Sequence, residues 1–432
     1  MQLTKTSRRL SVALARVTLL GALLAYSAYG YTAWGSQNPF DFYHYWLVGK
    51  AIDAGGVTNI YGKEDRVRLA KVWHERAQAT DMALFKKAAQ GRSQLEPTGT
   101  PFLYAAFHLV TTDNYDGNCT VFMVVSHFAY LLALVFLLWR LGFSFNVAAM
   151  AFVLLTQLFW PLKMDGHYGN LGRLQVGGIA LLLALLTLRH RWAPLMAGVA
   201  CGVLVLIKPT SVQVLPLLVV VWLARGERTR LRDFVLGAAS AGALGLALPS
   251  FVLGPACSWT AWRTDLPAML FNDYYLTGGF LGKLIGLKAI AGYTVFQVLV
   301  VAGLAATLFR ATPRKAPSEQ PWLQEWVAIN LGILAYLATG PIVHSHYFVI
   351  AAPALVLALS LAHRRDDAVF TPVVLTALLL CGAHPIFKTL GLTWDANHSL
   401  WTFAGVWLLL VLLTVLAAPA RATEEPASPA PA

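Results

Sequence analysis

Long apolar runs separated by short polar loops dominate this chain. Runs able to cross ~30 Å of hydrocarbon fall at 13–33, 119–139, 146–162, 174–188, 193–207, 211–224, 234–253, 291–309, 323–340, 347–362, 369–386 and 400–418. The pattern therefore predicts about 12 transmembrane helices. Segment 101–112 is apolar but too short to span, and is expected to be re-entrant or interfacial. The stretch 34–100 mixes apolar and charged residues. Within it, Tyr43, Trp46, Leu47 and Ala51 recur at helical spacing, which predicts a helix over 43–54 lying in the membrane interface. A second helix is predicted over 64–90. Glu64 and Asp65 open it, Lys86 and Lys87 close it, and Gly91 follows as a stop. Its expected apolar stripe is Val67, Ala70, Trp73, Ala77 and Leu84.

Composition narrows the class. The 432 residues are 57% hydrophobic and 12% charged, with a mean hydropathy of +0.59. Soluble domains carry about twice that share of charge. The expectation is an all-α polytopic membrane protein with a single transmembrane domain over 1–418, of which 34–100 is the first extracytoplasmic loop. Residues 419–432, rich in Pro, Ala and Glu, are expected to form a disordered cytoplasmic tail. No internal repeat of the kind that builds inverted-repeat transporters is visible.

The net charge of +12 is mostly an orientation signal. With the N-terminus inside, Lys5, Arg8, Arg9, Arg16, Arg140, Arg189, Arg191, Arg225, Arg228, Arg230, Arg232, Arg310, Arg314, Lys315, Arg364, Arg365 and Arg421 are all internal. That is 17 of the 33 basic residues. Nine more lie in the first outer loop, whose length of about 65 residues weakens the rule there. Both termini are therefore expected on the cytoplasmic side of a bacterial inner membrane, and nucleic acid is excluded as a partner. The four cysteines, Cys119, Cys201, Cys257 and Cys381, lack metal-like spacing and read as packing residues. Cys119 and Cys257 fall on the same, outer side, which is the one arrangement here that would allow a disulfide, against the packing reading.

The candidate chemistry gathers on the outer side. Asp41-Phe42-Tyr43-His44-Tyr45-Trp46 places a carboxylate at the membrane surface beside aromatic rings, a costly arrangement that is usually functional. The outer segments also hold Asp165, His167, Asn170, Arg173, Lys208, Asp265, Asp273, His344, His346, Asp395 and His398. Each has a plainer reading. Asp41 suits a helix N-cap, Lys208 suits a snorkelling lysine, and Asp165 to Arg173 suit a turn. His44, three residues from Asp41, is placed to orient it or to bind an acceptor.

At these residues the chain resembles glycosyltransferase family 87, membrane enzymes of the GT-C fold that use polyprenyl-phosphate sugars. Asp41 to Tyr45, Gly55-Gly56 and Ile60-Tyr61 match the family's aspartate, aromatics, glycine and Leu-Tyr-like pair. Gly99-Thr100-Pro101-Phe102 keeps the second proline of a Tyr-Pro-Pro-like segment, and Leu174-Gln175-Val176-Gly177 keeps the glutamine of a Gly-Gln-x-Asn-like one. Ile207-Lys208-Pro209 matches a Lys-Pro after an apolar run. Thr339 to His346 is similar to a Ser-Pro-x-Ser-Trp-x-His-like turn.

The resemblance implies a GT-C fold and an inverting hexosyltransferase, with mannose as the family's best-known sugar. The donor would be a polyprenyl-phosphate sugar, the acceptor a glycolipid or polysaccharide, and the reaction extracytoplasmic. Asp41 would be the catalytic base. Lys208, His346, His344 and Arg173 would bind the donor phosphate, and His44, Tyr45, Asp165, His167, Asn170 and Gln175 would complete the site. No cofactor and no metal are expected. The competing expectations are a transporter or flippase of lipid-linked glycans and a non-catalytic subunit of envelope-polysaccharide assembly.

Overall fold

The described residues of each predicted apolar run from the second onward fold as a helix or a helix pair. The computed structural model describes residues 39–270, 290–313, 322–341, 343–364, 369–382, 389–391 and 400–417, with Arg16, Val17, Gly21 and Ala25. The first predicted span lies outside the described residues apart from those four. So do the tail, Asp273, Asp395 and His398. Among the described residues the chain is all helical.

In chain order the helices are α1 Phe40–Asp53, α2 Lys63–Gln78, α3 Ala83–Ala89, α4 Pro101–Val110, α5 Tyr115–Arg140, α6 Phe145–Val153, α7 Trp160–Tyr168, α8 Gly172–Thr187 and α9 Ala193–Ile207. They continue as α10 Val214–Arg225, α11 Arg228–Val252, α12 Trp259–Leu270, α13 Ile290–Ala311, α14 Leu323–Thr339, α15 Ala352–Arg364, α16 Phe370–Gly382 and α17 Leu400–Ala417. Among the described residues, four segments are long and apolar enough to cross a bilayer: Tyr115–Arg140, Arg228–Val252, Gly292–Ala311 and Ser345–Arg364. A fifth is available if the pair Phe145–Leu158 and Trp160–Tyr168, bent by 47° at Phe159, makes one span. The bend has a local cause, a π-helical turn at Leu154–Leu158 followed by Pro161. Six further apolar helices are shorter, at 10–17 residues. The apolar faces point outward as well as inward. On α5, Val121, Val124, Val125, Phe128 and Leu132 form an exposed stripe at helical spacing, and Phe251 on α11 is 87% exposed. Such surfaces fit hydrocarbon rather than water, and the chain is an α-helical membrane protein.

Small residues set the closest helix crossing. Gly198 and Gly202 on α9 lie against Phe234, Ala238 and Ala241 on α11, while Gly237 and Gly245 on α11 lie against Leu195, Val199 and Leu206 on α9. A methyl group added at Gly198 would strike the Phe234 carbonyl, so glycine here lets the two backbones touch.

The core divides in two. One cluster, from Tyr130 to Leu416, fills the space between the long helices. The other joins α1–α4 to the start of α5 through Phe42, Trp46, Tyr61, Trp73, Phe85, Tyr104 and Tyr115. Its centre is aromatic: Trp46 meets Trp73, Phe85 and Tyr115 at 5.8, 5.3 and 5.3 Å.

Three expectations for the first loop change. The helix expected over 43–54 begins at Phe40 and is buried on nearly every side from Phe42 to Gly49, so it is a core element rather than one lying in the interface. The second helix, expected over 64–90, is two helices. Thr80 Oγ1 donates to the Ala77 carbonyl at the end of α2. Asp116 accepts from the Leu84 and Phe85 amides at 3.2 and 3.0 Å and caps α3 from another element. The apolar stripe of α2 uses Leu69 where Val67 was expected, and Val67 is 46% exposed. The short segment after residue 100 is helical, with Thr100 capping it through the Leu103 amide. All four cysteines are free and buried, so the Cys119–Cys257 bridge does not form; Cys257 meets the Tyr61 hydroxyl at 3.6 Å instead.

Candidate functional site

Asp41 sits in the first turn of α1, and its position there is not that of a cap. Pro39 occupies the N-cap without any side-chain bond. The Asp41 carboxylate is 30% exposed and turns to residues far away in the chain. Its Oδ2 accepts from Asn170 Nδ2 at 2.6 Å and lies 3.7 Å from His346 Nε2. Lys208 Nζ donates to Asn170 Oδ1 at 3.0 Å. One amide thus bridges a carboxylate and an ammonium. The pairing also fixes its orientation, because Asp41 needs a donor and Lys208 an acceptor.

Local chemistry explains each position. α7 ends in a Schellman motif. Gly169 takes φ 65°, its amide donates to the Gly166 carbonyl at 3.1 Å, and the Asn170 amide donates to the Asp165 carbonyl at 3.0 Å. That turn presents Asn170 to α1, and Gly169 itself lies against Pro39 and Phe42, where a side chain would crowd both. Asp165 accepts from the Gly172 amide at 2.9 Å and from Arg173 Nε at 2.6 Å, with both side chains of the pair fully buried. A buried pair needs such added hydrogen bonds to offset its desolvation. Pro209 prevents α9 from continuing and holds Lys208 extended, at φ −154° and ψ 119°. Gln175 Nε2 donates to Thr210 Oγ1 at 2.6 Å, bracing the same break. His346 is the second residue of the 3₁₀ segment Ser345–Ala351.

Aromatic rings wall the cluster. Tyr347 lies 3.5 Å beneath Lys208 Nζ, and Tyr168 lies 5.1 Å from His346. Burial raises the Asp41 pKa above 3.8, against the opposing pull of Asn170, Lys208 and Arg92. Burial pushes Lys208 down to about 8, and Asp41 and Asp165 only partly oppose it.

The expected residues therefore separate. Asp41, Asn170, Lys208 and His346 come together. His344 stacks on His346 at 5.5 Å, and His167 meets Tyr168 edge-on at 5.1 Å, each one step away. Tyr45 is buried one turn beyond Asp41, on the same side of α1, and packs on Phe107 at 5.3 Å. Asp165 and Arg173 shape the turn from beneath. His44 turns towards Arg92 and Glu96. Its Nε2 accepts from the Glu96 amide at 3.2 Å and lies 3.3 Å from Arg92. Burial, then Arg92, holds its pKa well below 6.5. Asp265 accepts from Asn59 at 2.6 Å and ties the first loop to α12.

Tyr168, Tyr347 and Arg92 are additions that the sequence reading did not select. Tyr347 follows His346 directly, which was the available signal. Nothing in the sequence singles out Arg92. Among the described residues, no group of three or more His, Cys, Asp and Glu side chains is arranged to hold a metal ion. Compared with family models, curated proteins and solved structures, this chain matches none.

Proposed function

We propose that the chain is an inverting hexosyltransferase of the GT-C type, similar to glycosyltransferase family 87. It takes a hexose, mannose by the resemblance, from a polyprenyl-phosphate sugar and passes it to a glycolipid or polysaccharide hydroxyl on the outer face of a bacterial plasma membrane. The observation that carries this reading is the partly exposed Asp41 carboxylate, tied through Asn170 to the Lys208 ammonium.

The chemistry needs this pair. The acceptor hydroxyl loses its proton to Asp41 as its oxygen bonds to the anomeric carbon. The bond from that carbon to the phosphate oxygen breaks, and its electron pair leaves on the polyprenyl phosphate. A carboxylate with a raised pKa is the stronger base, provided it is ionised at the working pH. Lys208 and His346 supply positive charge or hydrogen bonds for the departing phosphate. A phosphate is already a good leaving group, so no strong acid is required. Tyr168 and Tyr347 offer faces on which a sugar ring packs.

Twelve spans with both termini inside go with this reading. The loops assigned to the cytoplasm meet one another: Arg225 and Arg230 pair with Glu325 at 3.0 and 3.1 Å, Arg140 covers Trp322, and Arg364 donates to the Leu141 carbonyl. The loops assigned to the outside meet at Asp41. This sorting supports a polar site on one side and an arginine-rich rim on the other.

The test uses purified protein in nanodiscs with a panel of polyprenyl-phosphate hexoses, reading release of polyprenyl phosphate and sugar transfer. Asp41→Asn keeps an acceptor for Asn170 but cannot take the proton. Turnover is expected to fall roughly 10²–10⁴-fold with little change in thermal stability. A folded variant with near-wild-type transfer overturns the assignment of Asp41. The absence of transfer from every donor in the panel, by wild-type protein, overturns the reaction.

A further inference from the structure

A cavity of mixed lining, charged groups beside Val67 and Val72, lies along α2, separate from the cluster around Asn170. It has a volume of about 620 Å³, within the usual range for small-molecule sites, and Arg68, Lys71, His74, Glu75, Arg92 and Ser93 line it. Positive charge prevails. Arg68 is already engaged by Asp65 at 2.5 Å, and Glu75 is the one carboxylate in the lining among the described residues. Glu96 and Asp41 act on Arg92 at longer range.

Arg92 is held in an unusual way. Its Nε donates to the Ala88 carbonyl at 2.7 Å, one terminal nitrogen lies 3.3 Å from His44 Nε2, and the guanidinium covers Phe40 and Tyr43 at 4.4 and 5.1 Å. Its other terminal nitrogen is buried without a hydrogen-bond partner. Buried donors are nearly always paired. An unpaired one on a rigidly held cation is a charged donor whose natural partner is an anion, bound here through that single nitrogen. His74 contributes in another way: its Nδ1 faces the Ala89 carbonyl at 3.2 Å, leaving Nε2 for the cavity.

We propose that this cavity binds an anionic sugar unit, one bearing a carboxylate or phosphate, of a glycan arriving from the water side. Both anions present the oxygens that Arg92 and Lys71 require. The water side follows from α2 itself, whose sequence is KEDRVRLAKVWHERAQ and whose open face carries Lys71, Glu75 and Arg76. A surface of that kind does not enter a headgroup layer apolar-side first. That the anion is carried on a sugar rests on the transferase reading; the anion binding itself is read without turnover, so the two can fail separately.

The experiment is calorimetric titration of the full chain in phosphatidylcholine nanodiscs. The probes are tetragalacturonate and mannose 6-phosphate, with maltotetraose as the neutral control. The acidic probes are expected to bind and maltotetraose not to bind. Arg92→Gln is expected to weaken binding roughly ten- to a hundredfold, the range for a charge-assisted contact. Lys71→Gln, at an exposed position that does not threaten folding, is expected to weaken it by about tenfold. Failure of both acidic probes to bind overturns the proposal, as does equal binding of maltotetraose. Unchanged binding by the folded Lys71→Gln and Arg92→Gln proteins also overturns it. Tighter binding of soluble glycerol 1-phosphate than of either acidic sugar would assign the cavity to a lipid headgroup and overturn the glycan.

Discussion

At the residue scale, Asp41 and Lys208 need opposite protonation states for the proposed transfer, and the structure moves their pKa values towards each other. Asp41 is raised above 3.8 by burial, and Lys208 is pushed down to about 8. Transfer needs Asp41 ionised, so its rate rises as pH climbs through the elevated carboxylate pKa. It also needs Lys208 charged, so the rate falls as pH climbs through about 8. The expected profile of turnover against pH is a bell. A profile that stays flat well past pH 8 would remove Lys208 from the charged state of the site. Lys208→Ala deletes a charge-assisted contact worth roughly 1.5–3 kcal/mol. Use of the phosphate donor should weaken correspondingly, read as a rise in KM for the donor or a fall in kcat/KM. Asn170 keeps a donor for its Oδ1 in that variant, the Gly172 amide at 3.2 Å, so the bridge to Asp41 survives.

At the element scale, the first loop is a small folded lobe rather than a tether. Asp65 gathers the Thr58 and Asn59 amides at 2.9 and 2.8 Å, and Asp116 caps α3 from the start of α5. Asp116→Ala should cost about 1 kcal/mol, the usual worth of a cap, and lower the unfolding temperature without changing kcat. A large loss of turnover in that variant would mean that α3 positions the site directly. The division of 64–90 into α2 and α3 shows why sequence could not locate this cap. The dipole signals at both ends of the stretch are real, but the break between them is stabilised by a carboxylate 31 and 32 residues away.

At the scale of the whole molecule, the cluster lies on the seam between the aromatic lobe and the helix bundle. Asp41 comes from the lobe, and Lys208 and His346 come from breaks in the bundle. The topology is tested by single cysteines at Lys71 and Arg228, both exposed. The native cysteines are all buried and are replaced for the measurement. A membrane-impermeant maleimide should label position 71 from outside intact cells and position 228 only after permeabilisation. Labelling of both from the same side would remove the outward-facing site together with the topology.

The hydrophobic pattern by itself determined where the helices run, because burial in hydrocarbon needs long apolar stretches whatever the partners. α5, α9 and α17 lie where the runs 119–139, 193–207 and 400–418 predict them. Residue chemistry also marked Asp41, Asn170, Lys208 and His346 as candidates, since ionisable groups at span ends are costly. Only the tertiary structure decided that they meet. The Asp41–Asn170 bond spans 129 positions and the Lys208–Asn170 bond 38, and periodicity carries no information at such separations. The tertiary structure also turned His44 to Arg92 and buried α1 from Phe42 to Gly49, because an element's surroundings depend on the helices packed around it rather than on its own faces.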